Sequence, residues 1–259
     1  MGSSPHGLRN QELTPDSSLG HNTHVRYINR FTSETKLLVD ARLGDDIRAW
    51  ARQRLGPDPH GRGEFRDQYG VCSVYLDTEA HDVYHRRGSY GRSKYRIRHY
   101  ENDQAAFLER KLRTRLRLTK RRTRIPLDAV AGLRLDDPDP THPAHWFFRR
   151  VTLRRLRPVC VIRYVRTARM AETPEGPVRM TLDAAVVASP TSLVTLNAGP
   201  GRPLVEGLMI LEVKYSGVFP RIFKDLVDEF HLTPRPASKY RFAVQTLGLA
   251  GSGTAILNS

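Results

Sequence analysis

Cysteine is nearly missing from this chain of 259 residues: Cys72 and Cys160 are the two present, and neither stands at a paired metal-ligand spacing. That excludes a disulfide-framework fold and a thiolate zinc site, and a bond between the two is not expected in a reduced compartment. A secretory signal and any apolar run long enough to span a bilayer are also lacking, so the expectation is a cytoplasmic protein without a transmembrane segment. No G-x-x-x-x-G-K-[ST] loop occurs and "GRGEFRDQYG" is no dinucleotide fingerprint, so any nucleotide is held without a glycine-rich phosphate cradle. His81 and His85, four apart in "HDVYH", have no third ligand at the usual spacing and read as a solvated pair in a polar turn. No internal repeat stands out.

Lysine is scarce as well. Of 42 basic residues thirty-five are arginine and only seven are lysine, against 27 acidic residues, for a net charge of +15. Such an excess implies an anionic partner: nucleic acid, polyphosphate, nucleotide or a membrane surface. Six of the lysines, Lys36, Lys94, Lys111, Lys120, Lys214 and Lys239, fall in or beside strand-like or site motifs, and only Lys224 sits on an ordinary helical stretch. Arginine offers a planar fork and lysine a compact ammonium, so lysine kept at chosen positions points to point-charge contacts.

What the chain does have is strand. Eight segments, "NRFTSETKLLV", "GVCSVYLDT", "SKYRIRHYE", "AAFLERKL", "RLRLTKRRTRIPL", "PVCVIRYVRTARM", "PVRMTLDAAVVA" and "GLMILEVKYS", are short, alternating or β-branched, and bounded by Gly, Pro, Asp or Asn clusters. Helical patterns are fewer: "GDDIRAWARQRL", "WFFRRVTLRRL", "PRIFKDLVDEFHL" and a final "KYRFAVQTLGL". The fold class is therefore α+β, an antiparallel sheet or barrel of about eight strands with helices at its rim. Residues 1–24 and 249–259 are polar or turn-rich and expected as tails around one domain over 25–248.

The strands carry charge on one face. Successive side chains of a strand point to opposite faces, so Glu34 with Lys36, Glu109 with Lys111, and Glu212 with Lys214 each share a side. Lys94, Arg96, Arg98 and Tyr100 share another, as do Arg179, Thr181 and Asp183, while Lys120, Arg122 and Arg124 alternate in "TKRRTRI" and Arg163 stands between Val161 and Val165. Any one of these alone is an ordinary wet sheet face. Repeated on about seven strands and closed into a barrel, they would converge on one lumen, where only a highly charged anion such as a phosphate chain relieves the repulsion. Carboxylates among those cations imply an intervening Mg²⁺ or Mn²⁺, and the combination is that of phosphoryl transfer.

In order along the chain, "SVYLDTEAHDVYHRRGSYGRSKYRIRHYEN", "FLERKL", "LTKRRTRIPL", "RMTLD", "LEVKY" and "SKYRF" resemble the polyphosphate polymerase domain of the vacuolar transporter chaperone (VTC) family, a branch of the triphosphate tunnel metalloenzymes. The resemblance covers about residues 26 to 248 and implies a strand tunnel that moves the terminal phosphate of ATP onto inorganic polyphosphate and releases ADP. It implies phosphate contacts at Lys36, Arg96, Arg98, Lys111, Lys120, Arg122, Arg163, Arg179, Lys214, Ser238 and Lys239. Of these, Lys36, Arg96, Arg98, Lys111 and Arg179 would act in catalysis together with Glu212. Glu212 is the implied metal ligand, with Glu34 and Glu109 as further candidates. The hydrolytic branch usually opens with Glu-x-Glu-x-Lys, and here Thr32 occupies the first of those positions.

Two other readings share the charge pattern: a tunnel triphosphatase acting on inorganic triphosphate or nucleoside triphosphates, and a non-enzymatic polyphosphate or nucleic-acid binding module. No specific nucleic acid is expected, because "RKLRTRLRLTKRRTR" has no stacking aromatics between its cations. Ser238 lacks a visible base and is not read as a nucleophile. A membrane partner is left open, and no oligomeric state is assigned.

Overall fold

Asp40 ends the first strand and starts the first helix at once: its carboxylate accepts a hydrogen bond from Leu43 N at 2.8 Å, so β1 (Ser33–Asp40) passes into α1 (Ala41–Arg54) with no loop. The structure is a computed structural model and describes residues 31–101, 103–114, 118–136 and 139–250. After α1 come β2 (Gly56–Pro57), β3 (Gln68–Asp77), the single turn α2 (Asp82–His85), β4 (Ser93–Tyr100), β5 (Ala105–Arg113), β6 (Leu118–Pro126) and α3 (His145–Leu153). The chain continues with β7 (Arg157–Thr173), β8 (Gly176–Pro190), β9 (Arg202–Pro203), β10 (Leu208–Tyr215), α4 (Arg221–Glu229) and α5 (Lys239–Thr246).

All eight strand segments expected from the sequence form strands, and the two additions, β2 and β9, are two-residue pairings on the margins of β7 and β8. The ladder runs β1-β10-β8-β7-β3-β4-β5-β6, antiparallel throughout. Its two end strands, β1 and β6, do not pair with each other among the described residues. Closure is made by side chains: Glu34 on β1 takes the Lys111 ammonium of β5 at 2.6 Å.

Alternation explains which face goes where. Leu37, Val39, Leu211, Val213, Met180 and Leu182 point outward from β1, β10 and β8 and are covered by Ile47, Trp50 and Ala51 of α1 and Phe223 and Leu226 of α4. A larger apolar cluster forms outside β3, β4, β5 and β7, where Tyr95, Ile97 and Leu108 meet Phe147, Phe148 and Val151 of α3. Fully burying a side chain such as Phe223 contributes about 1.5–3 kcal/mol, so these two outer clusters, not the lumen, hold the sheet in shape. α5 packs Tyr240, Ala243 and Val244 into the larger cluster; the Tyr240 hydroxyl donates to Asp77 at 2.5 Å, and Asp77 also accepts from Val83 N and Tyr84 N.

Two departures concern local detail. The turn read around His81 and His85 contains the α2 helix, with His81 at its N-cap. Leu249 and Ala250, expected in the C-terminal tail, pack against the larger cluster; the rest of that tail and residues 1–24 lie outside the described residues. Cys72 and Cys160 are free thiols. No helix among the described residues is long and apolar enough to cross a membrane.

Candidate active site

Each of the eight long strands sends at least one side chain into a single cavity of about 160 Å³. Its wall holds ten cations, Lys36, Lys94, Arg96, Arg98, Lys111, Lys120, Arg166, Arg179, Lys214 and Lys239, against two carboxylates, Glu34 and Glu212. Tyr75, Tyr100 and Tyr164 fill the spaces between, and Ser238 with Lys239 enters from the start of α5. Like charges about 5.5 Å apart repel by roughly 3 kcal/mol at an effective dielectric near 20, so the wall needs both the outer clusters that hold the strands together and the carboxylates that pair with its cations.

The register sorts the carboxylates into two kinds. Glu34 lies opposite Lys214 and Lys36 opposite Glu212, so the two glutamates sit diagonally on neighbouring strands. Lys36 Nζ is shared between them, 3.3 Å from Glu34 Oε1 and 3.4 Å from Glu212 Oε2, while Lys214 holds Glu212 at 2.8 Å. Burial would raise both carboxyls, yet the surrounding lysines keep both below the usual carboxylate range, and the same glutamates hold the Lys36 ammonium protonated well above its ordinary value. Glu109 and Asp183 are deeper. Glu109 is bound by Arg96 at 2.7 Å and by Lys120, and Asp183 takes the Arg166 fork at 2.6 and 2.8 Å and Lys239 at 2.5 Å. Burial opposes ionisation there too, but Lys120 and Arg96 depress Glu109, and Arg166 and Lys239 bring Asp183 down to about 2.

Neutral-pH titration appears elsewhere on the wall. Burial, joined by neighbouring cations, pushes Lys94 and Lys111 down to about 8. Burial would push the Tyr75 and Tyr100 phenols up, but Arg96 beside Tyr75 and Lys120 beside Tyr100 outweigh it, giving about 8 and about 7.

Of the residues expected at the site, Glu34, Lys36, Arg96, Arg98, Lys111, Lys120, Arg179, Glu212, Lys214, Ser238 and Lys239 come together on the cavity wall. Glu109 sits just behind it. Arg122 shares the lumen face of β6 but lies outside the wall, its guanidinium 4.7 Å from the Phe107 ring centre. Arg163 is on the wrong face: it pairs with Cys72 across the ladder and its guanidinium bonds the Gly199 carbonyl. The lumen cation of β7 is Arg166, three residues on and of opposite parity, which the "IRY" motif hid. Lys94, Tyr75 and Tyr164 were also missed as site residues, although parity with Arg96 marked Lys94. Thr32 takes no part in the wall; its hydroxyl accepts from Gly217 N at 3.4 Å.

The donor set fits a divalent cation of limited kind. Among the described residues no group of three or more His, Cys, Asp or Glu forms a metal cage. Two ionised carboxylates sharing one ammonium do suit Mg²⁺ or Mn²⁺, which are commonly held by one or two carboxylates plus phosphate oxygens of the substrate. Glu34 and Glu212 meet that description; Glu109, enclosed by Arg96 and Lys120, does not.

One solved structure shares the architecture at low identity. A Bacillus halodurans protein described as a candidate adenylate cyclase is 14% identical, with 81% of this chain and 94% of that one covered and a TM-score of 0.51. A Pyrococcus horikoshii protein (13% identical, 83% and 97% covered, TM-score 0.46) and a Hippeastrum candidate adenylyl cyclase with a dominant triphosphatase activity (15%, 83% and 95%, 0.46) follow. No curated protein matches the chain significantly. The VTC domain family matches residues 31–248, the span that contains every strand and every wall residue described above, and the chain belongs to that family.

Proposed function

We propose that this protein is a metal-dependent polyphosphate polymerase that transfers the terminal phosphate of ATP to a growing inorganic polyphosphate chain. The observation that carries the reading is the excess of cations in one lumen: ten line its wall, against Glu34 and Glu212 on that wall and Glu109, Asp183 and Asp58 paired with wall cations behind it. A linear polyanion is the ligand that relieves it, since guanidinium forks and ammoniums match phosphate oxygens.

In this mechanism Arg96, Arg98 and Arg179 orient the phosphates by charge-assisted hydrogen bonds. Lys36, kept protonated by its two glutamates, supplies fixed positive charge where charge spreads over the transferring group. Glu34 and Glu212 would hold Mg²⁺ or Mn²⁺, which when bound neutralises phosphate charge. The bond from the γ-phosphorus to the ADP oxygen breaks as a terminal oxygen of the chain bonds to that phosphorus. The acceptor oxygen is already anionic near neutral pH, so the transfer needs no side chain to remove a proton, whereas water as acceptor would.

Incubation of the purified protein with ATP and Mn²⁺, followed by gel separation, is expected to yield ADP and polyphosphate. Free phosphate as the sole phosphate product would overturn the polymerase reading in favour of a triphosphatase. Metal-independent, salt-sensitive binding without turnover would favour a binding module.

A further inference from the structure

Glu212 stands between two unlike neighbours on its rung of the ladder: Lys36 faces it from β1 and Thr181 faces it from β8. Thr181 shares a face of β8 with Arg179 and Asp183, which puts it on the lumen side, and it is completely buried. Its oxygen has no hydrogen-bond partner, the one buried hydroxyl in that state among the described residues. The other two buried threonines are paired, Thr78 with Asp82 at 2.7 Å and Thr167 with Gln68 at 3.3 Å. A hydroxyl buried without a partner gives up its hydration for nothing, and valine would fill the same shape without that loss.

The surroundings explain why Thr181 is left over. Asp183, on the same strand, is taken up by Arg166 and Lys239. Arg179, two residues the other way, turns its donors to Asp58 at 2.9 Å and to the Tyr69 hydroxyl at 3.0 Å. Ala168, opposite on β7, has no polar side chain. That leaves Glu212, and both of its oxygens are occupied, Oε1 by Lys214 at 2.8 Å and Oε2 by Lys36 at 3.4 Å. Those two lysines are partly exposed and can withdraw into water, whereas the cations on Asp183 are buried. Of the acceptors beside Thr181, Glu212 is therefore the one that can become free.

We propose that Thr181 is a positioning residue for Glu212. When Glu212 gives up its lysines and one of its oxygens goes to the divalent cation, the Thr181 hydroxyl donates to the other oxygen and fixes the direction of the carboxylate. Residues directly opposed across a sheet have Cβ atoms about 4.5–5.5 Å apart, within reach of a glutamate carboxylate, so nothing has to enter the closed space around Thr181. The inference rests on Glu212 holding the cation, and it adds the group that aims it. Ligating carboxylates generally carry an outer hydrogen bond of this kind.

The test is titration of Mn²⁺ alone into the wild type, Thr181→Val, Thr181→Ser and Glu212→Gln, with free Mn²⁺ read by electron paramagnetic resonance and thermal midpoints measured without metal. Valine keeps the β-branched shape and removes only the unpaired hydroxyl. Thr181→Val is therefore expected to keep or raise the metal-free midpoint while weakening Mn²⁺ binding about tenfold. Thr181→Ser retains the hydroxyl and should bind Mn²⁺ within about threefold of the wild type. Unchanged Mn²⁺ affinity in Thr181→Val, with binding lost in Glu212→Gln, overturns the role of Thr181 alone. Equal weakening in the valine and serine variants overturns it too, since the effect then belongs to packing. A wild type that takes up no Mn²⁺, or a Glu212→Gln protein that takes up as much as the wild type, sinks the metal reading of Glu212 and this role with it. Uptake is read without turnover, so none of these outcomes depends on whether the protein makes polyphosphate.

Discussion

Two pairs of acidic residues in the same lumen do different things, and the cations around them account for it. Asp183 is held by Arg166 and Lys239, whose side chains are 8% and 10% exposed. Glu212 is held by Lys36 and Lys214, at 25% and 24%. An arginine fork with no water near it fixes a carboxylate permanently. A lysine with a quarter of its surface wet can move away and be hydrated, leaving the carboxylate free for another cation. Asp183 and Glu109, whose own side chains are 0% and 1% exposed, act as struts, while Glu212 and Glu34, at 8% and 16%, are the exchangeable pair.

The largest effect that would break this comparison lies at the struts. Asp183→Ala strands two buried cations and is expected to cost about 3–5 kcal/mol in denaturant unfolding, whereas Glu212→Gln should cost about 1 kcal/mol because its lysines can rehydrate. Equal losses would erase the distinction.

A second test uses pH. In the unfolded chain Lys94, Tyr75 and Tyr100 keep their protons to about pH 10, while in the fold they release them near 8, 8 and 7. Across that interval the unfolded state binds more protons, so stability should rise with pH from about 7 to 10 and fall again as pH drops through the folded values. Phosphate-chain affinity should move the opposite way, since the wall loses the ammoniums of Lys94 and Lys111 and gains phenolates. Denaturant midpoints and binding titrations measured at the same pH values check both signs.

The smallest effect is at β7. Arg163→Ala removes a guanidinium from the outer face and should change stability by less than about 0.5 kcal/mol and tripolyphosphate binding by less than about twofold, whereas Arg166→Ala should impair both.

The strands were legible because each alternates, and their charged faces followed from period-two reading. Ladder order was not. That Lys94, Lys111 and Lys120 share a rung depends on which strands pair and in what register, information carried by no single segment. Arg163 shows the limit of a motif: "IRY" drew the assignment to the middle residue, but antiparallel pairing with β3 puts even-numbered positions of β7 inside. Closure by the Glu34–Lys111 contact instead of a backbone ladder was hidden for the same reason, since it joins residues seventy-seven positions apart. The α2 turn, four residues long, carries too little periodicity to be read.

The most direct measurement is product formation from ATP and Mn²⁺ by wild-type and Glu212→Gln protein, paired with phosphate-chain binding. The account requires polyphosphate and ADP from the wild type, a fall of about a hundredfold or more in the variant, and chain binding that is largely kept. Unchanged turnover in Glu212→Gln, or loss of binding in step with turnover, would contradict it.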